Sequence, residues 1–470
     1  MKKCVFVATG LLSALAGGAA DPLMRFQDEI DACAAKGGGT VTVSAGLHET
    51  APLELKSNVE LHLEDGAELL FTDDLAYYDY REWTNGTGVV ESSAKSLVTS
   101  LNATNVAITG RGTLRPRMGR WESWRWFKNR HRPRFVELKK TRGIRLEGFR
   151  LRHSPSWFVH LEECADVVVR GLDVEGYVNN NDGIDIDSTK DVLIEGCRLS
   201  VGDDIICMKS GKDEAGRRRG VPTENVLIRR CSADCGHAFL GIGSECSGGI
   251  RNVTMEDCVM DGTCAWLLRL KTRPSRGGFM ENITMRNVRA KFVTDTAVQI
   301  TNGYGGSSDG TVVPPTRVDG VRVENVTVHE AKNAVFIDPS LNAQNVVFDG
   351  LVVNGRREMI KPIPSFTMRI DDNHPVSDWR RVAGIFESRG MRCSFAVVPS
   401  GLSEEQGACL KELAAISRER FDHFGLPRPT IWVRPGGWDA GVSWERLECM
   451  ANRVHSGKAQ SLEYPQFLTP

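Results

Sequence analysis

The sequence predicts an all-β protein that forms a right-handed parallel β-helix, followed by a small α/β segment. A short apolar–any–apolar pattern returns every 23 to 38 residues between Val106 and Val346. From the copy at Ile144 onward the matching inward position is apolar or cysteine, and the pattern stops near Pro362, where strand-like and helix-like stretches begin to alternate. The length of 470 residues therefore reflects a long repeat array more than a series of separate domains.

Each copy of the pattern predicts a short strand with one buried face, because alternate side chains of a strand point to opposite sides. Repetition implies that each strand pairs with its copy in the next coil, so that stacked coils share one core. The predicted inward ladder comprises Phe149, Leu172, Cys197, Cys231, Cys258, Val288, Val326 and Leu351. Its three cysteines are expected to be buried thiols, because free cysteine packs as a small hydrophobe.

The two ends of the chain have different expected roles. Residues 1–20 contain two lysines, an apolar run and small residues, which is typical of a secretory signal peptide. The next stretch predicts an amphipathic helix that ends at Lys36 and caps the open end of the β-helix. We therefore divide the chain into a signal peptide (1–20), a β-helix domain (21–362) and an α/β segment (363–470), and expect a secreted or periplasmic protein.

Composition and spacing exclude several classes of partner. The 59 Lys and Arg residues and 60 Asp and Glu residues leave a net charge of -1, so no overall field attracts nucleic acid or an anionic membrane. No later segment has 18 consecutive apolar residues, so no membrane span is expected. Cys231 and Cys235 are not followed by a second Cys or His pair at metal spacing, so no metal site is predicted.

A strip of ionisable side chains is predicted on one outer face. Asp182, Asp203 and His237 are 21 and 34 residues apart, near one coil per step, and Arg269 and Lys271 follow one coil later. Residues one coil apart are stacked at the strand spacing of about 4.8 Å. The acids are expected to project outward, because several carboxylates would be costly inside an apolar core.

Carboxylates at this spacing suit hydrolysis of a glycosidic bond, in which one protonated carboxyl donates to the leaving oxygen while others orient water. An inverting enzyme needs about 6.5–9.5 Å between acid and base, the reach of one to two coils. Arg269 and Lys271, alternate residues of one strand, could hold a sugar carboxylate. Taken singly, acidic turns and an Arg-x-Lys pair are usually structural; their order at coil spacing favours function.

Four ordered motifs resemble those of the family 28 glycoside hydrolases, the polygalacturonases and their relatives. The motifs are NNDG at 180–183, GDD at 202–204, GHA at 236–238 and RLK at 269–271. The resemblance covers roughly residues 21–362 and implies a β-helix enzyme that acts on a pectic polymer.

The resemblance also implies a role for each matching residue. Asp203 is similar to the general acid of the family, and Asp182 and Asp204 are similar to the pair that activates water. His237 would support the ionisation of the acid and bind substrate. The implied substrate-binding residues are Asn180, Arg269, Lys271 and Tyr304, of which Arg269 and Lys271 would bind the uronate beyond the scissile bond.

Two departures from the family pattern concern the substrate more than the chemistry. Ala238 stands where a glycine is usual. The run after GRGT contains Trp121, Trp124 and Trp126 in place of the usual Gly-rich, acidic residues. These tryptophans could reshape the substrate cleft or stack on sugar, or they could pack under a loop.

The segment 363–470 resembles a second family, the polysaccharide deacetylases, in its stretch TMRIDDNH. The resemblance implies that Asp371 would be the base and Asp372 a metal ligand, but no two of the ten histidines are four residues apart to complete such a site. We therefore expect a truncated, inactive remnant, with a binding or linker role as the alternative.

Taken together, the sequence predicts a metal-independent, cofactor-free, inverting hydrolase of α-1,4-galacturonosyl bonds in pectin, polygalacturonate or an oligogalacturonide. A rhamnogalacturonan-type hydrolase and a β-helix that binds polysaccharide without cleaving it are alternatives. A calcium-dependent lyase and a deacetylase are others. Endo or exo action, disulfide pairing and oligomeric state stay open.

Overall fold

The computed structural model describes residues 21–84, 90–119, 132–305, 313–341 and 343–358, together with isolated positions between 377 and 433. The predicted signal peptide and the residues Trp121, Trp124, Trp126, Asp371 and Asp372 lie outside the described residues. Two short strands of the C-terminal segment, Ala396–Val397 and Trp432–Val433, pair in parallel. The α/β character of that segment otherwise stays a prediction.

Parallel strands stack into three ladders that together form the faces of a β-helix. The first ladder contains Gly39–Val43, Val59–Leu63, Thr104–Gly110, Arg142–Glu147, Ala165–Arg170, Lys190–Glu195, Thr223–Arg229 and Ile250–Glu256. The second contains Gly46–Thr50, Ala67–Phe71, Thr113–Pro116, Arg150–Arg152, Asp173–Glu175 and Arg198–Ser200. The third contains Leu53–Glu54, Val98–Leu101, Val136–Lys139, Val159–Glu162, Ile184–Asp187 and Ile206–Lys209.

Longer strands continue these ladders toward the C-terminus and bend around the corners of the coil. They are Ser232–Gly243, Val259–Lys271, Phe279–Thr301, Arg317–Ile337 and Val347–Val353. The ladder ends with Arg356–Glu358, which pairs antiparallel to the preceding strand, and a separate antiparallel pair joins Arg81–Thr84 and Val90–Ser93. The parallel β-helix predicted from the sequence is thus confirmed in the described residues.

The core follows from the repeated pattern of inward side chains. Every member of the predicted inward ladder, from Phe149 to Leu351, is at most 1% exposed. Cys197, Cys231 and Cys258 are buried free thiols, and the backbone N–H of Cys231 donates to Sγ of Cys258 over 3.4 Å. Their predicted packing in one ladder is confirmed, because each thiol occupies the same position in consecutive coils.

A row of asparagine side chains fixes one corner of successive coils. Asn225, Asn252 and Asn282 all have positive φ, a region in which asparagine is favoured among non-glycine residues. Asn252 Nδ2 donates to Asn225 Oδ1 and Asn282 Nδ2 donates to Asn252 Oδ1, each over 3.1 Å. Asn225 Nδ2 in turn donates to Asp191 Oδ1 over 2.9 Å. The corner therefore combines a left-handed backbone turn with an amide ladder.

Helices are few among the described residues and lie at the edges of the coils. The α-helices are Arg25–Ala35 and Asp213–Arg219, and short 3-10 helices cover Pro22–Met24, Leu75–Tyr77 and Pro339–Leu341. Phe26 and Ile30 of the first α-helix are buried against the first coils, which confirms the predicted N-terminal cap with its end at Ala35, one residue before Lys36. No described helix has the length and apolar character needed to cross a membrane.

We expect Asn252→Ala to lower the free energy of unfolding by about 1–3 kcal/mol. Alanine is strained in the left-handed conformation of this position, and the variant loses both side-chain amide hydrogen bonds. Asn252→Gly should cost less, because glycine adopts positive φ freely. Thermal unfolding of the two variants and wild type measures the difference. Equal stability of the alanine and glycine variants would contradict the role of the left-handed turn.

Candidate active site

Two of the predicted catalytic acids occupy matching places on adjacent coils. Asp182 precedes Ile184 by two residues, Asp204 precedes Ile206 by two residues, and Ile184 pairs with Ile206. The N–H of Gly183 donates to the carbonyl of Asp204 over 2.9 Å. A Cβ at position 183 would lie 2.4 Å from the carbonyl oxygen of Ile205, so only glycine allows the two turns to approach this closely.

The turn that carries Asp182 is anchored by buried polar groups. Asn181 is fully buried, and its Nδ2 donates to the carbonyls of Ser154 and Ser156 over 2.8 and 2.7 Å. Asn180, the predicted substrate-binding residue, is exposed and has a φ of 61°. Its Oδ1 accepts a 2.7 Å hydrogen bond from the buried guanidinium of Arg132. These hydrogen bonds of Asn180 and Asn181 hold the backbone on the N-terminal side of Asp182 in place.

Asp203 and His237 form a pair on the solvent side of the site. Asp203 Oδ1 lies 3.0 Å from His237 Nδ1, and the His237 N–H donates to the Asp203 carbonyl over 2.8 Å. The side chains are 22% and 54% exposed. The hydrogen bond to Asp203 raises the pKa of His237, so the imidazolium is favoured beside this carboxylate. The predicted contact between the two residues is present.

Lys271 contacts Asp204 across the coil that lies between them, where Gly241 has no side chain. Gly241 pairs with Cys207 on one side and Arg269 on the other, and Gly243 pairs with Lys271. The ammonium of Lys271 forms a buried ion pair with Asp204 Oδ2. A Cβ at Gly241 would lie 3.0 Å from that oxygen. The absence of a side chain at 241 thus gives Asp204 the room it occupies.

Asp182 lies above a second buried ion pair that the sequence did not single out. Lys209 Nζ is 3.6 Å from Asp182 Oδ2 and 3.0 Å from Asp185 Oδ1. Asp185 and Lys209 stand on the paired strands Ile184–Asp187 and Ile206–Lys209, facing outward between core residues. The sequence held one signal for these residues, since Asp185 and Lys209 are charged residues within apolar strands of two adjacent coils.

The acids differ in how strongly they hold a proton. Burial and the neighbouring carboxylate of Asp185 raise the pKa of Asp182, although Lys209 opposes the shift. Burial would also raise the pKa of Asp204, but the ammonium groups of Lys271 and Lys209 lower it overall. Asp204 therefore stays ionised to lower pH than an ordinary aspartate, while Asp182 titrates at higher pH than an ordinary aspartate.

Arg269 is held between aromatic rings with part of its guanidinium still available. Its Cζ lies 3.4 Å from the ring centroid of Trp266 and 5.5 Å from that of Tyr304, and Nε donates to Gln299 Oε1 over 2.8 Å. No described residue accepts a hydrogen bond from its Nη groups. Trp266 and Gln299 were not predicted as site residues. Trp266 lies three residues before Arg269 on the same strand, and Gln299 pairs with Arg269 in the next coil.

The predicted residues thus meet on one outer face, where Tyr304 lies 4.9 Å from the ammonium of Lys271. Asp182, Asp204 and Cys207 offer ligand atoms within 4.8 Å of one another. Lys209 contacts Asp182 and Lys271 contacts Asp204, so a metal ion would have to compete with two buried ammonium groups for these carboxylates. Metal independence stays a prediction.

Comparison with known proteins places this geometry in a family. The family model "Glycosyl hydrolases family 28" matches residues 40–366. A probable polygalacturonase of Vitis vinifera is 32% identical over 60% of this chain and 60% of its own length. An endo-polygalacturonase of Pectobacterium carotovorum subsp. carotovorum is 28% identical over 57% of this chain and 70% of its own length.

Solved structures show the same architecture. A hyperthermoactive exopolygalacturonase from Thermotoga maritima superposes with a TM-score of 0.60 at 30% identity, covering 70% of this chain and 82% of that one. The polygalacturonase of Erwinia carotovora ssp. carotovora gives a TM-score of 0.59 at 23% identity over 72% and 92% of the two chains, a likeness of fold. With more than half of its length matched by the family model, the chain belongs to the glycosyl hydrolases of family 28.

Proposed function

We propose that the protein hydrolyses α-1,4-galacturonosyl bonds of pectin, polygalacturonate or oligogalacturonides with inversion. The observation that carries the proposal is the arrangement of three carboxylates on two adjacent coils. Asp203 faces solvent beside His237, while Asp182 and Asp204 lie buried against Lys209 and Lys271. Two kinds of carboxyl environment in one site are what acid and base roles require.

Asp203 is the proposed general acid. Its side chain is more exposed than those of Asp182 and Asp204, so it can reach a glycosidic oxygen from the face of the coil. His237 Nδ1 lies 3.0 Å from Asp203 Oδ1 and fixes the orientation of this carboxyl group. A carboxyl placed in this way donates its proton to the leaving oxygen as the bond breaks.

Asp182 and Asp204 are the proposed pair that activates water. Asp182, whose pKa burial and Asp185 raise, is the stronger base once it has lost its proton. Asp204 stays ionised through Lys271 and Lys209, and its Oδ1 accepts a bond from the N–H of Ala238 over 3.2 Å. We infer that Asp204 orients the water and that Asp182 takes its proton.

Arg269 is the proposed contact for a uronate carboxylate. Its Nη groups, which donate to no described residue, form the planar fork that binds a carboxylate in a bidentate manner. Lys271 is engaged with Asp204 and lies next to Tyr304, so we assign it first to Asp204, and its contact with substrate stays a prediction. A guanidinium at this position favours a galacturonate over the neutral rhamnose of a mixed backbone.

We also infer export to the periplasm or the cell exterior. The support is the sequence of residues 1–20, with lysines ahead of an apolar run. A polymeric pectic substrate is consistent with that location, because it is too large to enter a cell freely.

We expect Asp203→Asn to lower the rate of polygalacturonate hydrolysis by at least about 100-fold, because an amide cannot donate the required proton. Reducing-sugar release in the presence of EDTA measures the rate, and NMR of the first product reads its anomeric form. Asp234→Asn, an exposed partner of Arg198, is the matched control. An unsaturated product that needs added calcium would instead establish a lyase.

We expect Arg269→Gln to raise KM for polygalacturonate by about 10- to 100-fold, because a charged hydrogen bond contributes about 1.5–3 kcal/mol. The loss should be smaller on a methyl-esterified polymer, which lacks the carboxylate charge. Arg289→Gln, at an exposed position of the strand Phe279–Thr301, is the control. An unchanged KM on polygalacturonate would remove Arg269 from the substrate site.

A further inference from the structure

Lys209 is buried to a degree that is unusual for a lysine. Its side chain is 8% exposed, and its ammonium lies 3.0 Å from Asp185, 3.6 Å from Asp182 and 3.5 Å from the thiol of Cys207. The ring of Trp157 covers it, with the ammonium 4.6 Å from the ring centroid. Moving an ammonium out of water to such a place is costly unless charges compensate.

Asp185 has no visible task other than to hold Lys209. It is fully buried, and neither of its oxygens accepts a well-aligned hydrogen bond from the described residues. Its single ion pair in the described part of the chain is the one with Lys209. Lys209 is thereby shared between Asp182 and Asp185, and it lies closer to Asp185, which is fully buried.

This sharing leaves one of the neighbouring acids short of compensation. Asp204 has Lys271 as its own partner, and Asp185 takes the nearer contact with Lys209. Among the described residues, the ion pair of Asp182 is the longer 3.6 Å contact with Lys209, and the charge of Arg132 acts on it from further away. A buried carboxylate with incomplete compensation holds its proton to a higher pH than an ordinary aspartate and can exchange it with water.

We propose that Asp185 and Lys209 form a buried positioning pair that sets the charge state of Asp182. The inference rests on the proposed function for its meaning in catalysis, since Asp182 there accepts the proton of the attacking water. Neither residue needs to touch the sugar. Asp185 limits how much of the lysine charge Asp182 receives, and Lys209 prevents Asp182 from staying permanently neutral.

Other ionisable groups surround the pair and are the same in every comparison below. Asp203 and Asp204 face Asp182 from the next turn, and the charge of Arg132, which donates to Asn180, also acts on Asp182. His160 faces Asp185, and Glu245 and the thiol of Cys207 face Lys209. Because burial raises the pKa of Cys207, its sulfur accepts a hydrogen bond from the ammonium as a neutral thiol and adds no negative charge.

The proposal predicts opposite effects for its two members. The base form of Asp182 exists above its raised pKa, so kcat/KM is lost as pH falls through that value. Asp185→Asn frees Lys209 for Asp182 and should move the acidic limb of the pH profile to lower pH. Lys209→Met removes the cation and should move the limb to higher pH. Each shift should be about one pH unit, as for a single charge at this distance.

The experiment is the pH dependence of kcat/KM on polygalacturonate for wild type and both variants. Lys139→Met and Glu162→Gln are controls, because they alter charges in the same outward row as Lys209, and their acidic limbs should coincide with wild type. Limbs that stay in place, or move in the same direction in both variants, overturn the proposal. If Lys209→Met does not fold, the direction of the Asp185→Asn shift decides alone.

A second readout separates this proposal from the proposed function. The Asp182 carboxyl can be titrated by 13C NMR in aspartate-labelled protein, with Asp182→Asn identifying its resonance. If the wild-type protein cleaves no pectic polymer, but Asp185→Asn shifts the titration of Asp182 as expected, the proposed function is disproved and the role of the Asp185–Lys209 pair stands. If the wild-type protein is active, but Asp185→Asn leaves the titration of Asp182 unchanged, the proposed function stands and the role of the pair is disproved.

Discussion

Two buried ammonium groups, those of Lys209 and Lys271, make the rest of the site possible. Asp182, Asp185 and Asp204 are all buried within two adjacent coils, and a set of like charges with no cations between them would favour protonation of most of its members. Each lysine reaches its carboxylates from a different direction, Lys209 from the paired strand and Lys271 from across a gap of one coil. The acids consequently differ in charge although they share a residue type, and that difference is what the proposed chemistry uses.

The β-helix supplies this arrangement through register. Strand pairing converts a separation of about one coil in sequence into neighbours at about 4.8 Å, so that short motifs far apart in the chain form one continuous surface. Gly241 and Gly243 add a local variation, since they occupy outward positions in the coil between Lys209 and Lys271 without covering them. The same outward rows carry bulky side chains in other coils, such as His160 and Glu162, so the gap is specific to the site.

Much of this could be predicted from the sequence because it depends on period alone. The inward ladder and the cysteine packing follow from alternation of apolar side chains, and the N-terminal cap follows from the helical spacing of apolar residues before Lys36. Coil spacing predicted a strip of Asp182, Asp203 and His237, and the structure brings Asp203 beside His237 but aligns Asp182 with Asp204, one residue further along. Asp185 and Lys209 could not be predicted as a buried pair, since an outward position on a strand indicates exposure, and their burial depends on how Trp157 and the Asp182 turn fold over them. Lys271 was expected to face substrate, and its contact with Asp204 became visible only with the register of the glycines.

The acids and the cations of the site also differ in the kind of backbone that carries them. Asp182, Asp203 and Asp204 stand between short strands, whereas Arg269 and Lys271 lie at the end of the long strand Val259–Lys271. Strand pairing on both sides holds the backbone of the two cations, because hydrogen-bonded ladders open as cooperative units. The acids depend instead on individual contacts, namely the buried amide of Asn181 and the ammonium groups of Lys209 and Lys271. A single substitution beneath one of these acids can consequently displace it without disturbing the strand that carries the cations.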